Sequence, residues 1–330
     1  MPRIVQWERQ IGRRLRLRDL FVFFTVVKNG SMAKAAAQLD VTTPSVSEII
    51  ADLEHALGVR LLDRSPQGVV ATVFGEALLR RGEAAFDELR QGVRDIEFLA
   101  DPKSGEIKVG CPDTIVATIM PVIIEKFSRQ HPRVVLHVDT VPSPAIKFPG
   151  LRDRRYDLVL ARSLPISDDP SLEELNTECL FDDPLVVAAG LHTRWARRRK
   201  IDLAELIGEP WILPTPGTWT HSQILEAFQA RGLNLPKASL VTIAWPLIAH
   251  FLAHGPFITG CSRSLVRHSS LKELPVDLPV QTWPVLVVTL KNRTLSPVVE
   301  RFIECARGVA KSMSVRAQGN ATRRRKPNVA

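Results

Sequence analysis

The sequence predicts a winged helix-turn-helix at the N-terminus, joined by a long helix to a C-terminal α/β region. Three observations carry this. Residues 18–75 read as helix, helix, turn, helix and hairpin. Residues 75–99 hold one continuous amphipathic helical pattern. Beyond "DPKSG" at 101–105, apolar strand-like runs alternate with helical ones, the pattern of a parallel sheet covered by helices.

The first helix is "RDLFVFFTVVK". Leu20, Phe23, Phe24 and Val27 recur at helical spacing, and Asn29-Gly30 ends it. Ser31 can cap the next helix, "SMAKAAAQL", whose Ala35, Ala36 and Ala37 permit a close crossing. A short turn at Asp40-Val41-Thr42 leads into "VTTPSVSEIIADLEHAL". There Thr42 or Thr43 serves as N-cap, and Pro44 falls in the first turn, where its missing N–H costs nothing. Val46, Ile50, Leu53 and Leu57 form one apolar stripe; Ser45, Glu48, Asp52 and His55 lie opposite, and Gly58 stops the helix. Two short strands around Ser65-Pro66-Gln67-Gly68 make the wing.

From Gly75 to Leu99, Leu78, Ala85, Leu89, Val93 and Ile96 keep roughly one face, which suits pairing with a second copy of the helix. Gly82 and Gly92 weaken it locally. The α/β region then offers "EIKVGC", "VVLHVDTV" and "YDLVLAR" as strands, with helices at "TIVATIMPVIIEKFSRQ" and "SPAIKFPGLRDRR". A second block runs from "PLVVAAG" through "PWILP", "HSQILEAFQARG", "ASLVTIA" and "WPLIAHFLAHG" to "PFITG". "VLVVTL" and "SPVVERFIECARGVAK" close the pattern. After about residue 312 apolar content falls, which predicts a disordered tail.

Composition narrows the function. The chain has 330 residues, 45% hydrophobic and 24% charged, enough for two domains. No apolar run approaches the roughly 20 residues that span a bilayer. "MPRIVQWERQIGRRLRLRDL" lacks the apolar segment of a secretory signal, so the expected location is the cytoplasm. Cys111, Cys179, Cys261 and Cys305 are scattered, with no CxxC or Cys/His cluster. No metal or cofactor is expected, and the thiols read as small buried hydrophobes. No Ser/His/Asp order, phosphate loop or HExxH marks an enzyme. The net charge of +9 suits a polyanionic partner. Much of it is terminal, in Arg3, Arg9, Arg13, Arg14, Arg16 and Arg18 and in "RRRK" at 323–326, which read as solvated tails.

The N-terminal block resembles that of LysR-type transcriptional regulators. The resemblance rests on Gly30-Ser31, Ala35-Ala36, Thr42-Thr43-Pro44-Ser45-Val46-Ser47, Leu53-Glu54, Leu57-Gly58, Leu61-Leu62, Arg64, Thr72 and Gly75, in order over about 60 residues, and continues more weakly to about 310. It implies a basic extension at 1–17, a DNA-binding domain at 18–75, a dimerisation helix at 76–101 and a hinge at 102–105. An effector domain at 106–312 and a disordered basic tail at 313–330 complete the division. The effector domain is expected to be a two-lobed type 2 periplasmic-binding-protein fold, with lobe I at about 106–180 and 285–312 and lobe II at about 181–284. The implied partners are dyad-symmetric double-stranded DNA, a small-molecule effector, further copies in a homodimer or homotetramer, and RNA polymerase.

The resemblance carries departures. Many relatives have Gln where this chain has Thr43, and Arg where it has Glu48. Arg favours guanine in the major groove through O6 and N7; Glu cannot do that, but it can accept from cytosine N4. With no Lys or Arg in the recognition helix, phosphate contacts fall to Lys34, Arg60 and Arg64, with the arginines between Arg3 and Arg18 as further candidates and hydroxyls from Ser31, Ser45, Ser47 and Ser65; Thr43, Pro44 and Glu48 complete the expected DNA face. The bland alternatives are a solvent-facing ion pair for Glu48, and a bridge from Arg64 to Asp63 or Glu54.

Ligands of open α/β sheets sit at strand carboxyl ends beside helix N-termini. That rule selects Asp113, Thr114, Pro142, Ser143, Arg162, Ser163, Thr218, Trp219, His221 and Thr259. Hydroxyls and one arginine suit a small carboxylate. Asp113, if it faces the cleft rather than capping a helix, suits an amine or hydroxyl instead.

Overall fold

The computed structural model describes residues 15–66, 68–141, 148–162, 170–280 and 284–324. The chain forms two compact units, one ending at Arg90 and one beginning at Gln91.

The first unit holds α1 (Leu17–Asn29), α2 (Met32–Leu39), α3 (Thr43–Leu57), β1 (Leu62–Ser65), β2 (Gly68–Ala71) and the start of α4 (Val73–Ala100). Phe23, Val26, Ala35, Val46 and Ile50 are fully buried, with Leu53, Leu61 and Leu62 beside them. Leu57 is only half-buried at the edge of this core. Gly30 ends α1 in the left-handed region, at φ 61°, and its carbonyl accepts the Val69 N–H at 2.9 Å. The wing thus closes onto the turn between α1 and α2. β1 and β2 pair antiparallel from Leu62↔Ala71 to Ser65↔Gly68.

Gly82 has a packing reason that the sequence hides. A Cβ there would lie 2.1 Å from the Phe24 ring, so the missing side chain lets α4 lie against α1. Phe86 then meets Phe24 edge-on at 5.5 Å. The apolar face of α4 is therefore divided. Leu78, Leu79 and Phe86 pack on the first unit's core, whereas Leu89, Val93, Ile96 and Leu99 are exposed.

In the second unit, β3 (Ser104–Cys111), α5 (Asp113–Val116), α6 (Ile119–Gln130), β4 (Arg133–Thr140), α7 (Pro149–Arg152), β5 (Leu158–Arg162) and β6 (Leu175–Asp182) come first. The next elements are β7 (Leu185–Gly190), β8 (Trp211–Leu213), α8 (Trp219–Gln229), β9 (Ala238–Val241), α9 (Trp245–His254), β10 (Ile258–Ser262), α10 (Arg263–Arg267) and β11 (Leu271–Glu273). β12 (Pro284–Leu290) and α11 (Pro297–Arg324) complete the described elements. These build two five-stranded sheets, ordered β4-β3-β5-β12-β6 and β11-β7-β10-β8-β9.

Both sheets are mixed, which corrects the parallel sheet expected from the alternation. β3 runs parallel to β4 and β5, but β12 is antiparallel to β5 and β6. In the second sheet β8 is parallel to β9 and β10, while β7 is antiparallel to β10 and β11. The chain leaves the first lobe between β6 and β7 and returns to it at β12. Phe127 against Phe302, at 5.3 Å, anchors the first lobe's core; Trp211 against Phe228, at 5.5 Å, anchors the second.

Other expectations shift. Ser104 and Gly105 of the predicted hinge already belong to β3, and α4 begins at Val73 rather than 76. α11 continues to Arg324, through the region whose composition predicts disorder. Its alanines, arginines and glutamine are good helix formers, and the packed turns before them supply the nucleus. Of the predicted helix "SPAIKFPGLRDRR", only a single turn at Pro149–Arg152 lies in the described residues.

The C-terminal part of α4 is held to the first lobe by a buried charge cluster. Asp157, just before β5, accepts Arg293 Nη2 at 2.9 Å, Arg94 Nη1 at 3.3 Å and the Lys108 N–H at 2.8 Å. Arg293 also donates to the Tyr156 carbonyl at 2.6 Å.

Candidate functional site

In the first unit the exposed polar residues gather around α3 and the wing. Thr42 is the N-cap: its hydroxyl oxygen accepts the Ser45 N–H at 3.3 Å and lies 2.9 Å from the Ser45 hydroxyl. That leaves Thr43 and Pro44 exposed at the first helical positions, with Glu48 exposed one turn on. Ser31 caps α2 through the Lys34 N–H, and Lys34, Arg60 and Arg64 are exposed. Ser47 is partly spent, since its hydroxyl donates to Met32 Sδ at 3.2 Å. Ser65 closes the wing turn onto the Gly68 carbonyl at 3.3 Å. Gln67 of that turn lies outside the described residues.

Glu54 settles one of the bland alternatives. Its carboxylate accepts the N–H groups of Leu61 and Leu62 at 2.7 and 3.1 Å, fixing the chain between α3 and β1. It is thus committed to backbone. Among the described residues, no ion pair engages Arg64 or Glu48. α3 therefore presents a capped N-terminus, a carboxylate and no cation of its own.

In the second unit a cavity of about 290 Å³ opens between the two lobes. The first lobe supplies Asp113 and Thr114 after β3, Thr140 and Val141 after β4, and Arg162 at the end of β5. The second supplies Thr218, Trp219 and Thr220 at the start of α8, Trp245 and Ile248 of α9, and Thr259 to Ser262 of β10. Strand carboxyl ends and the N-termini of α8 and α9 thus meet here, because the sheets turn these ends toward each other. Pro142, Ser143 and Ser163 lie outside the described residues.

His221 is a correction. It is absent from the cavity lining; its backbone N–H donates to the Thr218 hydroxyl at 3.4 Å, so it completes the cap of α8. Missed from the sequence were Thr242, Ile243, Trp245 and Ile248, where β9 runs into α9. The strand-end rule applies there as well, but "WPLIAHFLAH" reads as core helix. Cys261 and Ser262 were missed because β10 reads as a buried strand.

Arg162 is not a free cation. Its Nη1 donates to Asp183 at 2.6 Å, its Nε to the Thr114 hydroxyl at 3.3 Å and its Nη2 to the Ser264 hydroxyl at 3.4 Å. Asp183, in the crossover between lobes, also accepts the Ser264 N–H at 2.9 Å and the Ser264 hydroxyl at 2.5 Å. The Arg162 and Asp183 side chains are 7% and 2% exposed, so the pair is desolvated and ties the end of β5 to the second lobe.

These two sites are matched by separate family models. Residues 17–76 match the bacterial regulatory helix-turn-helix protein of the lysR family, and residues 100–311 match the LysR substrate binding domain. The chain belongs to the LysR family. It is a LysR-type DNA-binding transcriptional regulator with an effector-binding domain. It is 29% identical over 294 residues to the transcriptional regulator TdcA of Escherichia coli, covering 87% of this chain and 91% of that one. The fold is that of a full-length OxyR variant from Pseudomonas aeruginosa, with a TM-score of 0.62 at 23% identity, covering 90% of this chain and 95% of that one. CbnR in complex with its target DNA gives 0.51 at 21% identity, covering 90% and 100%.

The thiols of this LysR-family chain are kept protonated. Burial, aided by Asp113, pushes Cys111 up to about 12, and burial likewise raises Cys179, Cys261 and Cys305. Cys111 is fully buried and does not line the cavity; Cys261 does. Cys179 is exposed, which corrects the expectation of buried thiols, while Cys111, Cys261 and Cys305 are buried; a protonated thiol is a poor nucleophile in either setting. Among the described residues, no group of three or more His, Cys, Asp or Glu is placed to hold a metal ion, and no helix is long and apolar enough to cross a membrane.

Proposed function

We propose that this chain binds its operator sequence-specifically through α3 and the wing, and that a small molecule in the interlobe cavity modulates it. The observation that carries the reading is the exposed, capped N-terminus of α3, with Thr43, Pro44 and Glu48 open to solvent and Glu48 free of any ion pair among the described residues. A helix N-terminus that presents side chains without internal partners is suited to base edges in the major groove. Lys34, Arg60 and Arg64 supply the phosphate contacts, together with the hydroxyls of Ser31, Ser45 and Ser65. The protein works in the cytoplasm as a homodimer, or a tetramer of such dimers, through the exposed face of α4; RNA polymerase is its partner at the promoter.

The effector enters between the lobes and shifts the balance of their arrangements by its differential contacts in each. Arg162 contributes a neutralised ion pair rather than an open anion receptor, which removes the main support for a carboxylate effector.

The test is selection of bound fragments from a genomic pool, followed by titration at several salt concentrations. The logarithm of the binding constant should fall with the logarithm of salt, by about 0.9 for each phosphate neutralised. Salt-insensitive binding, or no selected fragment, refutes the reading. Glu48→Arg should move base preference at one operator position by about 1–3 kcal/mol, away from cytosine toward guanine. Unchanged specificity in the same selection would place Glu48 away from the bases.

A further inference from the structure

The interlobe cavity has an unusual charge balance. Among the described residues, its charged lining side chains are Asp113 and Arg162. Arg162 is already compensated by Asp183 at 2.6 Å. Asp113 is half-buried on the first turn of α5, and no described residue donates to its carboxylate or pairs with it. Among the described residues the wall therefore carries one uncompensated negative charge. A carboxylate ligand would add a second in a partly desolvated space, and burying an unpaired charge is costly.

The hydroxyls narrow the choice further. Thr218 donates to the Thr215 carbonyl at 2.7 Å and accepts the His221 N–H. Thr259 donates to the Ile212 carbonyl at 2.7 Å. Thr242 accepts the Ala244 N–H at 3.1 Å, and Thr114 accepts from Arg162. Much of the cavity's hydrogen-bonding capacity is thus spent within the protein. A polyol entering here would leave several hydroxyls unsatisfied. Among the described residues the rest of the wall is mainly apolar and aromatic, with Trp219, Trp245, Ile243, Ile248, Leu265 and Val141 set among the hydroxyls of Thr140, Thr220 and Ser262. Indole faces attract cations as well as apolar rings. The volume, about 290 Å³, lies at the small end of ligand sites, which run from about 300 to 1,000 Å³.

We propose that the effector is a small organic amine with an apolar or aromatic body, its ammonium paired with Asp113 and its body against Trp219 and Trp245. This rests on the reading of the cavity as the effector site and names the chemistry that site accepts. A carboxylate receptor built on Arg162 would need the arginine unpaired.

The experiment titrates the full-length protein with 2-phenylethylamine, 3-phenylpropionate, 2-phenylethanol and glucose, reading tryptophan emission and the unfolding temperature. The amine should bind best of the four. Its affinity should drop by at least about tenfold in Asp113→Asn, where the charge partner is lost, and return in Asp113→Glu. Trp245→Phe should reduce the emission change, which locates binding in the cavity. The proposal is overturned if propionate or glucose binds as tightly as the amine, if Asp113→Asn binds the amine unchanged, or if no probe binds at millimolar concentration. Operator binding measured on the same samples reports separately on the regulator reading. Loss of DNA binding with amine binding intact would count against that reading and leave the ligand class standing.

Discussion

Arg162→Ala is expected to destabilise the second unit by about 3–5 kcal/mol, the loss associated with breaking a buried ion pair from one side. Among the described residues, Asp183 would keep only the Ser264 N–H and hydroxyl as donors, at a site where its side chain is 2% exposed. The penalty comes from the orphaned charge more than from the lost attraction, so a paired replacement separates the two. Arg162→Met combined with Asp183→Leu should recover most of the stability, because two well-packed apolar groups need no compensation. Urea unfolding of the three proteins measures this. If Arg162→Ala costs under about 1 kcal/mol, as an exposed pair would, the ion pair is solvated in solution and Arg162 becomes available to a ligand after all.

Val93→Glu combined with Ile96→Glu is expected to convert the protein to monomers and to lower operator affinity by about 10²–10⁴-fold, the factor that a second tethered binding module supplies. Val93 is 55% exposed and Ile96 67% exposed, and with Leu89 and Leu99 they make an apolar face that no described residue covers. Fully burying one such side chain gains about 1.5–3 kcal/mol, so two copies packing this face stabilise each other substantially. Sedimentation gives the mass, and gel shifts on the selected operator give the affinity. Dimers that persist in the double variant would place the interface elsewhere.

The sequence shows the first unit most plainly. There the signals are local: Thr42 caps, Pro44 opens the helix, and Val46, Ile50 and Leu53 recur on one face, so each element declares itself within a few residues. The second unit is less legible because its decisive pairings are distant. β12 inserts between β5 and β6, and nothing local in "VLVVTL" states that its neighbours are antiparallel. β6, "LNTECLFD", escapes the reading because it is an edge strand with polar residues on its open side. β11 has only three residues. The cavity follows the same division. Strand ends and helix starts locate Asp113, Thr218 and Trp219, but the pairing of Arg162 with Asp183 depends on how two lobes meet. Gly82 is legible only as a weak spot in a helix until the Phe24 ring appears beside it.

The placement of β12 also bears on how the protein is made. The first lobe's sheet has its fourth position filled by a strand that leaves the ribosome only after the whole second lobe has been synthesised. Until then β5 and β6 lack the neighbour that bridges them, and both present open hydrogen-bonding edges of the kind that recruit stray chains. The second lobe, whose five strands all lie between β7 and β11, can close first. A chain that stops before β12 therefore leaves the first lobe's sheet unfinished, with β5 and β6 open where the last strand should join them.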